Sequence, residues 1–278
     1  MNRMLPLDGE TQIYPIVGDP IGQVKAPANL SAIMADRGLN ALVTPAHVAP
    51  ADLAAFVAGT KAMQNVPGIV ATVPHKVAIA AHCDRLTERA VMAGSVNIMV
   101  RGPGGWCGDN TDGIGHMDGV AAEGFDIAGQ SALLVGTGGA GSAIAYEILV
   151  RGAAELAVHD LDAGRRDALI ARLDRRFPGR IRAGSADPTG YALIVNATPL
   201  GMREGDPLPV EVARLVPGQF VSDVVTKPAI PALIAAARAA GCGTMTGTQM
   251  FTAQAALLTD TLTGRRPLVP VENQPAPA

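Results

Sequence analysis

Cysteine, aromatic side chains and net charge are all scarce in this 278-residue chain. The three cysteines, Cys83, Cys107 and Cys242, are far apart, odd in number and form no CxxC pair. That argues against a disulfide framework and against a metal site, and fits a reducing, cytoplasmic setting. His47, His82 and His116 show no metal-ligand spacing either and read as structural. Net charge is only −3, and basic residues are scattered or paired with acids, so a nucleic-acid partner is not expected. Apolar runs are broken by Gly, Pro or charge well short of the ~20 residues of a membrane span. The opening MNRMLPLDGE lacks the apolar core of a secretion signal. There is no internal repeat to indicate a solenoid.

What is abundant is small and apolar. Hydrophobic residues make up 48% of the chain, enough at this length for two modest cores and hence two domains. Up to about Gly115, β-rich runs (13–17, 41–47, 68–73, 96–100) alternate with alanine-rich helical stretches (28–37, 52–58, 76–82, 88–93). From Ser131 the alternation restarts: strand 132–135, helix 140–151, strand 156–159, helix 163–175, then strands 181–183, 193–196 and 220–224. This is an α/β pattern, with an N-terminal α/β domain followed by a doubly wound, Rossmann-type domain. The expected boundaries are 1–115 and 116–246, with 113–130 as the connection. A final helix over 247–265 crosses back to complete the first domain, and the proline-rich 266–278 forms a flexible tail.

The run LLVGTGGAGSA sets Gly136, Gly138 and Gly141 in G-x-G-x-x-G register between an apolar strand and an amphipathic helix. Chemistry dictates each glycine: a tight turn, close backbone approach to a pyrophosphate, then close helix-strand packing, with the helix N-terminus supplying amide donors. Asp160 ends the next strand, 24 residues after Gly136, close to the spacing of about 20 at which an acid accepts from the ribose hydroxyls. A carboxylate there repels a 2′-phosphate, so NAD is expected to be preferred and NADP possible, although Arg165 and Arg166 follow closely.

Four further segments resemble the shikimate/quinate dehydrogenase family: Val17-Gly18-Asp19-Pro20-Ile21 with Lys25-Ala26-Pro27, Thr72-Val73-Pro74-His75-Lys76, Gly94-Ser95-Val96-Asn97, and Gly108-Asp109-Asn110-Thr111-Asp112-Gly113. The resemblance continues through Gly136–Ala140, Val195–Met202 and Gln254-Ala255-Ala256, from about Tyr14 to Thr263. It implies a substrate domain facing a nucleotide domain across a cleft, with Lys76 as general base and Asp112 orienting the hydroxyl and the lysine. An alcohol cannot deliver hydride well until its proton leaves, and a partly desolvated lysine is a competent acceptor. It further implies that Thr72, Asn97, Gln254, Lys25 and Thr226 contact substrate. Gly136, Gly138, Gly139, Ala140, Gly141, Asp160, Asn196, Thr198, Val224 and Gly247 would then hold the cofactor. The implied partner is a small cyclic hydroxy acid, with no nucleic acid and no membrane, bound by a monomer or homodimer.

The chain also departs from that pattern. Family members that bind shikimate typically carry serines on either side of the position matched by Lys25, holding the substrate carboxylate; here stand Val24 and Ala26. Val70 and Thr226 replace a usual asparagine and tyrosine, and His75 sits beside the presumed base as either a substrate contact or a surface ring. A carboxylate without those donors binds worse. The expectation is therefore a shikimate dehydrogenase-like oxidoreductase. The alternatives are a quinate-type or other ring-acid dehydrogenase, or a catalytically silent NAD-binding regulatory homologue.

Overall fold

The computed structural model describes residues 7–22 and 24–272. The chain divides into two compact units: one runs to Thr111 and resumes at Ala255, and the other is Asp112–Gln254.

The first unit contains β1 (Gln12–Gly18), α1 (Ala26–Asp36), β2 (Ala41–His47), α2 (Leu53–Ala62), β3 (Gly68–Ala71), β4 (Arg85–Leu86), α3 (Glu88–Ala93), β5 (Ile98–Gly102) and β6 (Gly105–Asp109). Its sheet has the order β2-β1-β3-β5-β6-β4, with β5 antiparallel to both neighbours. The central strands β1 and β3 are mostly buried, and Val17, Ile69 and Met99 pack with Val57, Ile79 and Val96 in one core. Helix starts follow local chemistry. Pro27 opens the first turn of α1, where its missing N–H costs nothing. The Thr87 hydroxyl accepts from the Ala90 N–H to cap α3, and Gly94 closes that helix in the left-handed region.

The second unit comprises α4 (Asp112–Ala122), β7 (Ser131–Val135), α5 (Gly139–Val150), β8 (Glu155–His159), α6 (Ala163–Asp174), β9 (Ile181–Ala183), β10 (Leu193–Asn196), β11 (Phe220–Asp223), α7 (Ala232–Ala239), β12 (Gly243–Met245) and the first turns of α8 (Gly247–Leu262). Its six strands run in the order β12-β11-β10-β7-β8-β9 and pair in parallel throughout. Strand order reverses between β7 and β10, the switch point at which doubly wound sheets bind nucleotides. Leu133, Val135, Ala157, Ile194 and Val221 fill the core beside α7. The Asp162 side chain accepts the Arg165 N–H to start α6.

Five sequence expectations need correction. The connection over 113–130 is largely the helix α4, because the backbone at Gly113 approaches the Ala143 carbonyl of α5 so closely that a Cβ would lie 2.3 Å from it. The expected boundary at 115 thus falls at Thr111, and α4 belongs with α5. The final helix is shared between the units, dividing at Gln254 instead of joining the first unit from 247. The helix expected over 76–82 shrinks to a 3-10 turn at Ala78–His82, with Lys76 on the bend before it. The segment after Arg266 is not a loose tail as far as it is described. The Arg266 guanidinium reaches the Asp109 carboxylate, Pro270 bridges to Thr87 and the Val271 N–H donates to the Leu86 carbonyl. Residues 273–278 of that expectation lie outside the described residues.

Candidate active site

In the first unit, one end of the central strands of the sheet collects most of the side chains that the motifs single out. Thr72 follows β3, with its N–H on the Val17 carbonyl at 2.9 Å, and its own carbonyl accepts the His75 N–H at 2.8 Å. The half-buried Lys76 is tied down by its backbone, its carbonyl accepting the Val96 N–H at 2.7 Å. Asn97 precedes β5 at the same end, where its carbonyl accepts the Ala71 N–H at 2.8 Å. Its side chain is committed to the turn before α4: Nδ2 donates to Thr111 Oγ1 at 3.0 Å and Oδ1 accepts the Thr111 N–H at 2.9 Å. Lys25 is exposed at the start of α1, whose N-terminus has no side-chain cap. Val24 is half-buried, and Ala26 and Val70 are buried.

His75 is neither of the two things its position allowed. It is buried and its Nε2 lies 2.8 Å from the Val48 carbonyl, so that nitrogen carries the proton and the ring locks the turn in front of Lys76 to the end of β2. His47, by contrast, meets Asp19 at 2.8 Å in a largely exposed pair. Behind this end lies a buried ionic cluster that the motifs did not bring out. Asp109, fully buried, accepts from Thr87 Oγ1 and faces both Arg89 and Arg266. Burial alone would raise its pKa, but the two guanidiniums and the hydroxyl outweigh that and hold it below the ordinary carboxylate value.

In the second unit, Asp112 is the first residue of α4, where a carboxylate suits the helix dipole. Its Oδ1 accepts from Gln254 Nε2 at 3.0 Å, so Gln254 orients Asp112. One turn on, His116 is fully buried with Nε2 2.9 Å from Ser222 Oγ. Burial drives its pKa down to about 3, so the ring is neutral at physiological pH. Thr226 is exposed, beyond β11.

The glycine turn between β7 and α5 fits a dinucleotide. Gly136 has φ +98°, a conformation for which glycine is suited. A Cβ on Gly141 would stand 2.0 Å from the Gly136 carbonyl oxygen. At Gly138, in contrast, nothing lies within 4 Å of the point a Cβ would occupy, and α5 has no side-chain cap there. The N-terminal end of α5, with Gly139 and Ala140 in its first turn, thus presents open space and positive dipole, the requirements of a pyrophosphate. Asp160 leaves β8 beside it. Its Oδ2 accepts from the Thr137 N–H at 2.7 Å and from Thr137 Oγ1 at 2.6 Å, and Oδ1 from the Asp162 N–H at 2.9 Å. Burial pushes this carboxyl up, but the Thr137 and Asp162 donors and nearby Arg165 outweigh it, leaving the pKa lowered. Asp160 therefore stays ionised, with Arg165 Nη2 at 3.3 Å, while Arg166 pairs with Asp167. Among the described residues no group of His, Cys, Asp and Glu could hold a metal ion, and no helix is long and apolar enough to cross a membrane.

Sequence comparison meets the same picture. The profile of the shikimate dehydrogenase substrate binding domain matches residues 16–99. The shikimate dehydrogenase (NADP(+)) of Rubrobacter xylanophilus is 38% identical over 252 residues, covering 88% of each chain. The chain belongs to the shikimate/quinate dehydrogenase family. Among solved members of that fold, the shikimate 5-dehydrogenase of Listeria monocytogenes, determined with shikimate and NAD, superposes with a TM-score of 0.84 at 26% identity over 94% of both chains. A Gluconobacter 5-ketofructose reductase, ligand-free, superposes at 0.81 with 30% identity over 93% of this chain and 95% of that one. As a member, the chain is a shikimate dehydrogenase-like oxidoreductase that uses NAD(P). Motif reading gave no site role to Asp109, although it lies within the Gly108–Gly113 motif, or to Asp223, and it took His116 as structural. For Asp223 there was a signal: two polar residues, Asn196 and Asp223, end adjacent apolar strands of the same parallel sheet.

Proposed function

We propose that this member of the family interconverts a secondary alcohol and a ketone on a small, shikimate-like polyhydroxylated ring acid, with NAD preferred over NADP. The observation that carries the reading is the open, uncapped N-terminus of α5 at Gly138 with the ionised Asp160 next to it. Bound dinucleotide supplies the hydride acceptor. The rest is the work of this chain's residues. Lys76 takes the hydroxyl proton as the carbinol carbon gives up hydride. Asp112, itself oriented by Gln254, hydrogen-bonds and orients the hydroxyl; Thr72 and Asn97 hold neighbouring substrate groups, with Lys25 and Thr226 at the periphery. Gly136 to Gly141 receive the pyrophosphate, Asp160 the adenosine ribose, and the Thr198, Val224 and Gly247 backbone the nicotinamide end. Three free cysteines support a cytoplasmic setting, and a monomer or homodimer is the assembly this reading needs.

A second reading concerns substrate alone. Val24 and Ala26 offer no hydroxyl to a carboxylate, which favours an uncharged polyhydroxy ketone, the class named for the Gluconobacter relative. Rates at 340 nm with shikimate, quinate and 5-ketofructose, each with NAD(H) and NADP(H), separate the readings. Turnover on the acids supports the first and turnover on the ketose alone the second. Lys76→Ala is expected to lower kcat by about 10²–10⁴-fold; a rate unchanged by that substitution removes Lys76 from the mechanism.

A further inference from the structure

Asn196 is expected from its motif to touch the cofactor, yet every polar position on its side chain is already taken. Nδ2 donates to Asp223 Oδ1 and to the Leu200 carbonyl, each at 3.1 Å. Oδ1 accepts from the Thr198 N–H at 3.0 Å and from Thr198 Oγ1 at 2.7 Å. Two donors and two acceptor sites exhaust what an amide offers, and the residue is 0% exposed. The Asn196 side chain therefore acts as a brace, with no bonding capacity left for a ligand.

The brace hangs on Asp223. Its Oδ1 accepts both from Asn196 and, at 2.9 Å, from the Val225 N–H, whereas Oδ2 is buried and has no partner among the described residues. No cation among those residues offsets this carboxyl: burial pushes its pKa up to about 6, opposed only by the Val225 and Asn196 bonds. Burying an uncompensated carboxyl is costly, and the two bonds to Oδ1 fix the geometry of two segments. The geometry in question is specific. The Asn196–Leu200 turn lies against the glycine turn, since a Cβ on Gly136 would stand 2.7 Å from Thr198 Cγ2 and 2.9 Å from the Ala197 carbonyl carbon. On the other side, Val224 hangs from the Asn196 carbonyl by its N–H at 3.1 Å. The Val224 and Val225 carbonyls both close on Gly247, each 2.5 Å from a Cβ placed there.

We propose that Asp223 is a positioning residue for the cofactor: through Asn196 it holds the Ala197–Leu200 turn against the glycine turn, and through Val225 it sets the direction of the Val224 carbonyl. This rests on the reading of the second unit as a dinucleotide site. A residue of merely structural value would alter stability without selectively loosening these two segments.

The test is an NADH and NADPH fluorescence titration of wild type, Asp223→Ala and Asp223→Asn. It is paired with amide hydrogen exchange of the proteins without nucleotide. Asp223→Ala is expected to raise Kd at least tenfold, with faster exchange over 197–200 and at Val225 and unchanged protection in β7. Asp223→Asn, which keeps one acceptor oxygen but loses the charge, is expected to raise it about threefold or more with the same exchange pattern. A folded Asp223→Ala with Kd within twofold of wild type overturns the inference, as does a raised Kd without faster exchange. Should the alanine variant not fold, an unchanged Kd in Asp223→Asn overturns it. If wild type itself binds neither nucleotide, the dinucleotide reading fails and takes this inference with it.

Discussion

Asp160 shows how much a single side chain decides. Hydrogen bonds from Thr137 and Asp162 keep it charged at the end of β8, and an ionised carboxylate repels a 2′-phosphate. At partly exposed sites such repulsion is on the order of 1–2 kcal/mol, a factor of about 5–30. Asp160→Asn is accordingly expected to shift the ratio of kcat/KM for NADP over NAD upward by that factor; a ratio that stays put means the ribose is read elsewhere, Arg165 being the nearest candidate. The spacing of Asp160 from Gly136 was legible in the sequence. Its hydrogen bonds to Thr137 were not, because they depend on how tightly β7 and β8 pair.

Among the elements, the glycine turn separates folding from binding. Gly141 is closed in by the Gly136 carbonyl, whereas Gly138 faces open space with φ −66°, which any residue adopts. Gly141→Ala is expected to destabilise the protein by about 1–3 kcal/mol in urea unfolding. Gly138→Ala should cost about 1 kcal/mol or less and yet weaken nucleotide binding at least tenfold, because its methyl group occupies the open space proposed for the pyrophosphate. Equal binding by Gly138→Ala and wild type in a fluorescence titration would place the phosphates somewhere else. The strand-turn-helix around these glycines was readable because all its signals are local. Helix α4 was not. Its sequence, DGIGHMDGVAA, is rich in glycine and has the composition of a connection, and only close packing on α5 makes it a helix.

Across the chain as a whole, the buried Asp109 ties three separated stretches together: Thr87 at the cap of α3 with Arg89 inside it, the end of β6, and Arg266 beyond α8. Its folded pKa is lowered, so the stability it contributes is present above the ordinary carboxylate value and is lost as pH falls through the folded value. Asp109→Asn is expected to cost about 2–4 kcal/mol at neutral pH, and the gap to wild type should narrow only below about pH 4. Urea midpoints across that range check it, and a gap that is flat down to acid unfolding means the carboxylate is not what holds Arg266. Asp223 has the opposite sign. Its pKa is raised to about 6, so the ionised form lowers stability as pH rises from about 4 to 6, a cost consistent with a positioning role.

Local pattern was enough to mark most of the strands and helices, the two-part α/β plan and the glycine turn, since each rests on hydrophobic period or on steric demands within a few residues; α4, α7 and β12 escaped it. Long-range packing alone settled that His75 is a buried lock, that the Asn196 side chain is fully engaged and that the stretch after Arg266, as far as Glu272, is fastened down. It likewise settled which oxygen of Asp223 is engaged. Those outcomes depend on which polar atoms meet across strands far apart in the chain, and on whether any bonding capacity is left once they have met.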